Sequence, residues 1–160
     1  MPQIPIRRVV TTHDASGRAK VLFDSNAPRQ INFRKGSDTT LIWVADGLPA
    51  QNDGDEDTSM LDIGTATENG AVFRIVDFSP GVLPRVHRTQ SIDFAVVMSG
   101  TIWMELDDGE EVVLNAGDVL VQRGTVHNWV NKGTEICRVA FVIISSEPVK
   151  TLAGKLEAHG

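Results

Sequence analysis

The stretch Gly81-Val82-Leu83-Pro84-Arg85-Val86-His87-Arg88-Thr89-Gln90-Ser91-Ile92-Asp93-Phe94-Ala95-Val96-Val97-Met98-Ser99-Gly100 decides how the rest of the chain is read. Pro84 biases its neighbour toward extended backbone, and the apolar run from Ile92 to Met98 fits a pleated surface. Alternate residues of a strand point to opposite faces, so His87, Thr89, Ser91, Asp93, Ala95 and Val97 share one face. Ile92, Phe94, Val96 and Met98 share the other. With both faces apolar over its second half, the strand is expected to be central and covered twice. A carboxylate at position 93 then needs a partner, because an unpaired buried charge is costly. Thr89 or Ser91, an arginine such as Arg88 or Arg138, and a metal ion are the three choices, and the residues alone leave them open.

Outward from this stretch the chain breaks into short β-like runs at residues 7–12, 19–23, 39–44, 72–78, 101–106, 111–114, 119–122, 127–130 and 136–144. Turn residues such as Asp107-Asp108-Gly109, Asn115-Ala116-Gly117 and Asn131-Lys132-Gly133 separate them. Many short strands with tight turns predict an all-β antiparallel sandwich or barrel. We read residues 1–160 as one domain with N-terminal strands over 6–44, a core over about 70–145 and a short C-terminal tail. Only 149–158 has helical character, with Leu152 and Leu156 four apart. The acidic segment 50–59 misses the spacing of a calcium loop and reads as solvated.

Composition narrows the function classes. The 160 residues are 41% hydrophobic and 22% charged, with 21 acidic against 15 basic residues and a net charge of −6. A nucleic-acid binder shows the opposite balance in a clustered patch, whereas Arg7-Arg8, Arg34-Lys35 and Arg85/Arg88 are isolated pairs. The single cysteine, Cys137, has no internal disulfide partner and reads as a small core residue, with a nucleophilic pairing to His127 as the other reading. No apolar run spans a bilayer and the start lacks a signal-peptide stretch, so a cytoplasmic protein with no membrane partner is expected. Ile4, Ile6, Val9 and Val10 form an apolar N-terminal edge that suits a homodimer.

Chemistry concentrates between residues 72 and 131. His127 opens a short run in which it shares parity with Trp129. Together with His87 and Asp93 it makes two imidazoles and a carboxylate, a set suited to iron, manganese or zinc with positions left for water or substrate. Arg74, Gln122 and Arg138 are polar residues inside apolar runs, and an inward Arg74 or Arg138 would hold a substrate carboxylate. Trp43, Trp103 and Trp129 either line a pocket or fill the core.

These residues resemble the cupin family of small double-stranded β-helices. Gly81, His87, Thr89, Asp93 and Gly100 fall on its first motif with the right spacing. Gly117-Asp118, Gly124, His127 and Asn131 resemble its second, one residue short between Gly117 and Gly124. Thr89 stands where the family has a second histidine, Asp93 where it has glutamate, and Arg123 near its usual proline. The resemblance implies a jelly-roll barrel with metal ligands at His87, Asp93 and His127, the ion being iron, zinc, manganese or nickel, or none.

The expected function is accordingly a metal-dependent enzyme of decarboxylase, lyase, isomerase or dioxygenase type, acting on a small oxo-acid or ring compound. His127, Asp93 and His87 would be catalytic, with Thr89, Arg88, Ser91, Arg74, Gln122, Trp103 and Trp129 around the substrate. The alternatives are a small-molecule-binding or sensor protein and a metal-free acid/base enzyme using Asp93 and His127. No nicotinamide, flavin or nucleotide motif is present.

Overall fold

A computed structural model describes residues 5–160, and its regular secondary structure is almost entirely antiparallel β-strand. Ile4 of the apolar N-terminal edge lies outside the described residues. Strands β1 (Arg7–His13) and β2 (Ala19–Asn26) form a hairpin. Strands β3 (Arg29–Arg34), β4 (Ser37–Asp46), β5 (Gly70–Phe78), β6 (Ser91–Ser99), β9 (Val119–Arg123) and β11 (Cys137–Ser145) make a six-stranded sheet in the order β3-β4-β5-β11-β6-β9. Strands β7 (Thr101–Glu105), β8 (Glu111–Asn115) and β10 (Asn128–Val130) make a three-stranded sheet in the order β10-β7-β8. Among the described residues no sheet closes on itself, so the expected barrel is present as two separate sheets.

The two sheets share one hydrophobic cluster. Val72, Val76, Phe78, Val97, Val139 and Phe141 from the large sheet meet Ile102, Met104, Leu114 and Trp129 from the small one. Strand register explains which side chains reach it. Across the inner face one row runs Gln122, Asp93, Ile143, Val72, Val44, and the next runs Leu120, Ala95, Phe141, Arg74, Leu41. Two rows that are otherwise apolar thus each carry polar groups, Asp93 and Gln122 in one and Arg74 in the other. Gly100 ends β6 at φ +77°, where an added Cβ would lie 2.8 Å from the Ile136 carbonyl oxygen, so only glycine fits there.

The alternation predicted for β6 is observed: Ser91, Asp93, Ala95 and Val97 are buried. Its expected double cover is not. Phe94 is 46% exposed, and on neighbouring β9 Val121 is 59% and Val119 71% exposed. The C-terminal segment is also not helical. It folds as a hairpin of β12 (Val149–Thr151) and β13 (Gly154–Leu156), because Gly154 takes φ +121° and Thr151 Oγ1 donates to the Gly154 carbonyl at 3.0 Å. The acidic segment is only partly solvated. Asp57 caps a short 3-10 turn (Thr58–Met60) and binds buried Arg8, whose Nη1 also donates to the Ile42 carbonyl at 3.0 Å. No helix of the described residues is long and apolar enough to cross a membrane.

Candidate functional site

Three of the predicted residues converge. His87 lies just before β6 and His127 just before β10, and the two pair as an isolated antiparallel bridge. Each backbone N–H donates to the other's carbonyl, at 3.1 and 3.0 Å, and the ring centroids are 4.3 Å apart. Both rings, with Asp93, line a cavity of about 530 Å³ including its mouth. Phe33, Phe78, Trp129 and Phe141 supply its aromatic walls, and Arg34, Arg74 and Arg85 its cationic ones. Largely apolar walls with a few convergent polar groups are the usual make-up of a small-molecule site.

Both imidazoles have a defined tautomer. His87 Nδ1 sits 3.0 Å from the Arg85 carbonyl oxygen, and His127 Nδ1 sits 3.0 Å from that of Thr125. A carbonyl only accepts, so each Nδ1 carries the hydrogen and each neutral ring keeps an unprotonated Nε2. Burial lowers both pKa values. For His127 the value falls to about 4, first through burial and then through His87 beside it. For His87 burial dominates, and Arg85 and Arg34 add repulsion. Both rings are neutral at pH 7.

Asp93 is shifted the other way. Burial raises its pKa, while the Ser91 hydroxyl and the Arg74 charge oppose the shift. Ser91 Oγ lies 2.6 Å from Asp93 Oδ1 and 2.7 Å from Thr89 Oγ1. A hydroxyl has one proton, so ionised Asp93 accepts from Ser91, which accepts from Thr89. Protonated Asp93 reverses the chain and donates. The two hydroxyls therefore follow the carboxyl's charge state.

The metal expectation is corrected by this geometry. Among the described residues no group of three or more His, Cys, Asp or Glu side chains is placed to hold a metal ion. Thr89 offers a hydroxyl where an imidazole would stand. The short Asp93 side chain is held at its own strand by Ser91, two residues away on the same face. The donor set does not fit iron, zinc, manganese or nickel, and the metal-binding, lyase and dioxygenase expectations that rested on such an ion go with it.

The other predicted residues divide. Arg74 and Trp129 line the cavity. Burial brings the Arg74 pKa down to about 10, with Asp93 opposing, and its Nη2 donates to the Gly64 carbonyl at 3.0 Å and to that of Thr65. Gln122 faces Asp93 across the β6–β9 ladder at 3% exposure, and neither atom of its amide has a hydrogen-bond partner among the described residues. Arg88 does not line the cavity; its backbone bridges that of His159. Trp103 lies in the small sheet opposite Val113 and Val130, on the face away from buried Ile102 and Met104, and does not line the cavity. Arg138 forks onto Asp77 with two 2.6 Å contacts, far from Asp93's needs. Burial pushes the Cys137 thiol up to about 11, as expected of a core residue rather than a nucleophile.

Sequence reading missed Phe33, Arg34, Thr65 and Arg85 as cavity residues. The isolated pairs Arg34-Lys35 and Arg85/Arg88 were the visible signal, but nothing local showed that the fold brings Arg34 and Arg85 together.

Residues 74–144 match the family model described as the cupin domain, Cupin_2. Over 159 residues the chain is 33% identical to the cupin-domain-containing oxidoreductase fogC of Aspergillus ruber, covering 95% of this chain and 78% of that protein. The chain belongs to the cupin superfamily. This cupin is also 38% identical over 161 residues to phomopsin biosynthesis cluster protein C' of Diaporthe leptostromiformis, covering 93% of this chain and 82% of that one. Among solved structures, ectoine synthase from P. lautus shares the fold at a TM-score of 0.52 and 10% identity, covering 74% of this chain and 70% of that chain.

Proposed function

We propose that this cupin binds a small organic molecule in the His87–Asp93–His127 cavity and moves a proton on it without a metal. The observation that carries the reading is the opposed tuning of two groups that line one cavity. His127 is held neutral with Nε2 unprotonated, while Asp93 retains its proton to higher pH than an ordinary carboxyl. Groups whose environments push their proton affinities apart suit paired acid and base roles. In the step we propose, His127 Nε2 takes a proton from a carbon beside a carbonyl, and the C–H electron pair moves into the enolate. Protonated Asp93 gives its proton to the enolate oxygen, leaving an enol, an imidazolium and a carboxylate. Thr89 and Ser91 then turn their hydroxyls toward the new charge on Asp93. Relatives named for the oryzine and phomopsin biosynthesis clusters support a small-molecule substrate.

Residues 1–160 act in this proposal as one domain, its two sheets forming a jelly roll around the cavity. In the same proposal two copies pair as a homodimer through the outer face of β6 and β9. Ile92, Phe94, Val96, Met98, Val119 and Val121 are all at least one-third exposed there. Such a patch is on the order of 600 Å², at the upper end of what monomers leave bare. It supplies most of the roughly 800 Å² per partner that a stable interface buries.

The test of the catalytic reading uses phenylpyruvate as a probe in deuterated buffer, with protein stripped by exhaustive chelation. Exchange of its methylene protons, followed by NMR, is expected to exceed buffer alone and to fall about 10²-fold or more in Asp93→Asn and in His127→Ala. No acceleration, or acceleration that survives both substitutions, overturns the reading.

A further inference from the structure

The cavity holds more positive charge than it neutralises. Arg34, Arg74 and Arg85 line it against a single acidic side chain, Asp93, with both histidines uncharged. Arg74 is committed to the main chain of Gly64 and Thr65 and senses Asp93. Arg34 and Arg85 are different. Arg34 donates to Asn128 Oδ1 at 3.4 Å and to the Trp129 carbonyl at 3.1 Å. Arg85 donates to Thr65 Oγ1 and to a main-chain oxygen of Gly160, each at 3.3 Å. The side chains meeting these two guanidiniums are neutral, and Arg34 loses proton affinity first to burial and then to repulsion from Arg85. Two half-buried like charges facing one space is an arrangement that an anion between them would relieve.

Aromatic rings also lie beside them. The Arg34 guanidinium carbon is 5.9 Å from the Phe78 ring centroid, and that of Arg85 is 5.9 Å from the Phe33 centroid. A ring face beside a guanidinium uses up none of its N–H donors. Each has five N–H donors, and the contacts above leave at least two on each uncommitted.

We infer that the occupant is a ring-bearing organic carboxylate, its anionic group held by Arg34 and Arg85 and its ring among Phe78, Trp129 and Phe141. The inference rests on the preceding reading of this cavity as the ligand site and adds the ligand's charge and shape. Arg34 and Arg85 are specificity residues here, and the proton chemistry belongs to Asp93 and His127.

The experiment compares phenylacetate with phenylacetamide, which share a ring and differ in charge, by calorimetric titration of the full chain. Phenylacetate is expected to bind at least tenfold more tightly. Raising salt from 50 to 500 mM should weaken phenylacetate severalfold and leave the amide unchanged. Arg34→Met and Arg85→Met should each erase most of the preference, with Arg85→Lys retaining part of it, in variants whose circular dichroism and melting match the parent. Equal binding of the two probes, no saturable binding of phenylacetate, or a preference that survives both arginine substitutions overturns the inference. The salt comparison on the unaltered protein decides the matter if either variant fails to fold. Arginine-dependent phenylacetate binding without proton exchange on phenylpyruvate would uphold the anion grip and sink the catalytic reading. Exchange with no charge preference would do the reverse.

Discussion

His87 and His127 trade both backbone hydrogen bonds and hold their rings 4.3 Å apart, so one short bridge fixes two imidazoles forty residues apart in sequence. Neither ring can gain a proton without placing a cation against its neighbour and against Arg34 and Arg85.

That relationship has a measurable pH signature. His127 takes its proton at about 4 in the folded protein, against 6.5 when unconstrained. The unfolded chain therefore binds the proton first as pH falls. The stability His127 contributes is complete above pH 6.5 and is lost between 6.5 and 4, amounting to about 3 kcal/mol in all. Urea unfolding at pH 7 and pH 4.5 should show a smaller loss in His127→Gln than in the parent. Asp93, Arg34 and Arg85 remain in both proteins, so the difference reports the ring; equal losses would contradict the assignment.

Asp93 carries the opposite sign. Its folded pKa is raised, so it costs stability at pH values above that pKa, and the cost disappears as pH falls through it. Asp93→Asn keeps the shape and can still accept from Ser91. Its melting temperature at pH 7 to 8 should exceed the parent's, by about 1 kcal/mol in stability, while the proton-exchange activity is lost. The gain should vanish near pH 3.5.

Gln122 makes a third case. Its amide is buried with neither atom partnered among the described residues. Removing such a group in favour of an apolar side chain of similar length should stabilise, so Gln122→Met is expected to gain about 1 kcal/mol. Loss of stability in that variant would show that the amide is satisfied by bound solvent.

The exposed face of β6 and β9 offers a fourth. Val121→Lys places a charge in the middle of the apolar patch and touches no cavity residue. Light scattering should report a dimer for the parent and a monomer for the variant, with the probe's affinity at the cavity unchanged. A monomeric parent would remove the interface.

Much of this arrangement was legible from alternation. The parity of Ser91, Asp93, Ala95 and Val97 survives intact, because a strand buried on one face cannot slip by a single residue. The likeness to cupins singled out His87 and His127 as ligands of an ion, whereas the structure joins them as a backbone bridge. The failures share a cause: local pattern does not report distant partners. Strand β3, Arg-Gln-Ile-Asn-Phe-Arg, has few β-branched residues and exists by pairing with β4, so Arg34 and Phe33 could not be placed. Leu152 and Leu156 keep a helical spacing that the turn at Gly154 overrides. The ligand set failed at the scale of one methylene and one hydroxyl, where Ser91 meets Asp93 and Thr89 meets Ser91.

Arg74 holds the 64–65 stretch through main-chain oxygens alone, so its hold does not depend on which side chains that stretch carries. The rim of the cavity can therefore change its residues while staying fastened to the sheet beneath. Thr65 meets Arg85 at that rim through its hydroxyl, so a substitution there alters the anion grip while Arg74 keeps the stretch in place.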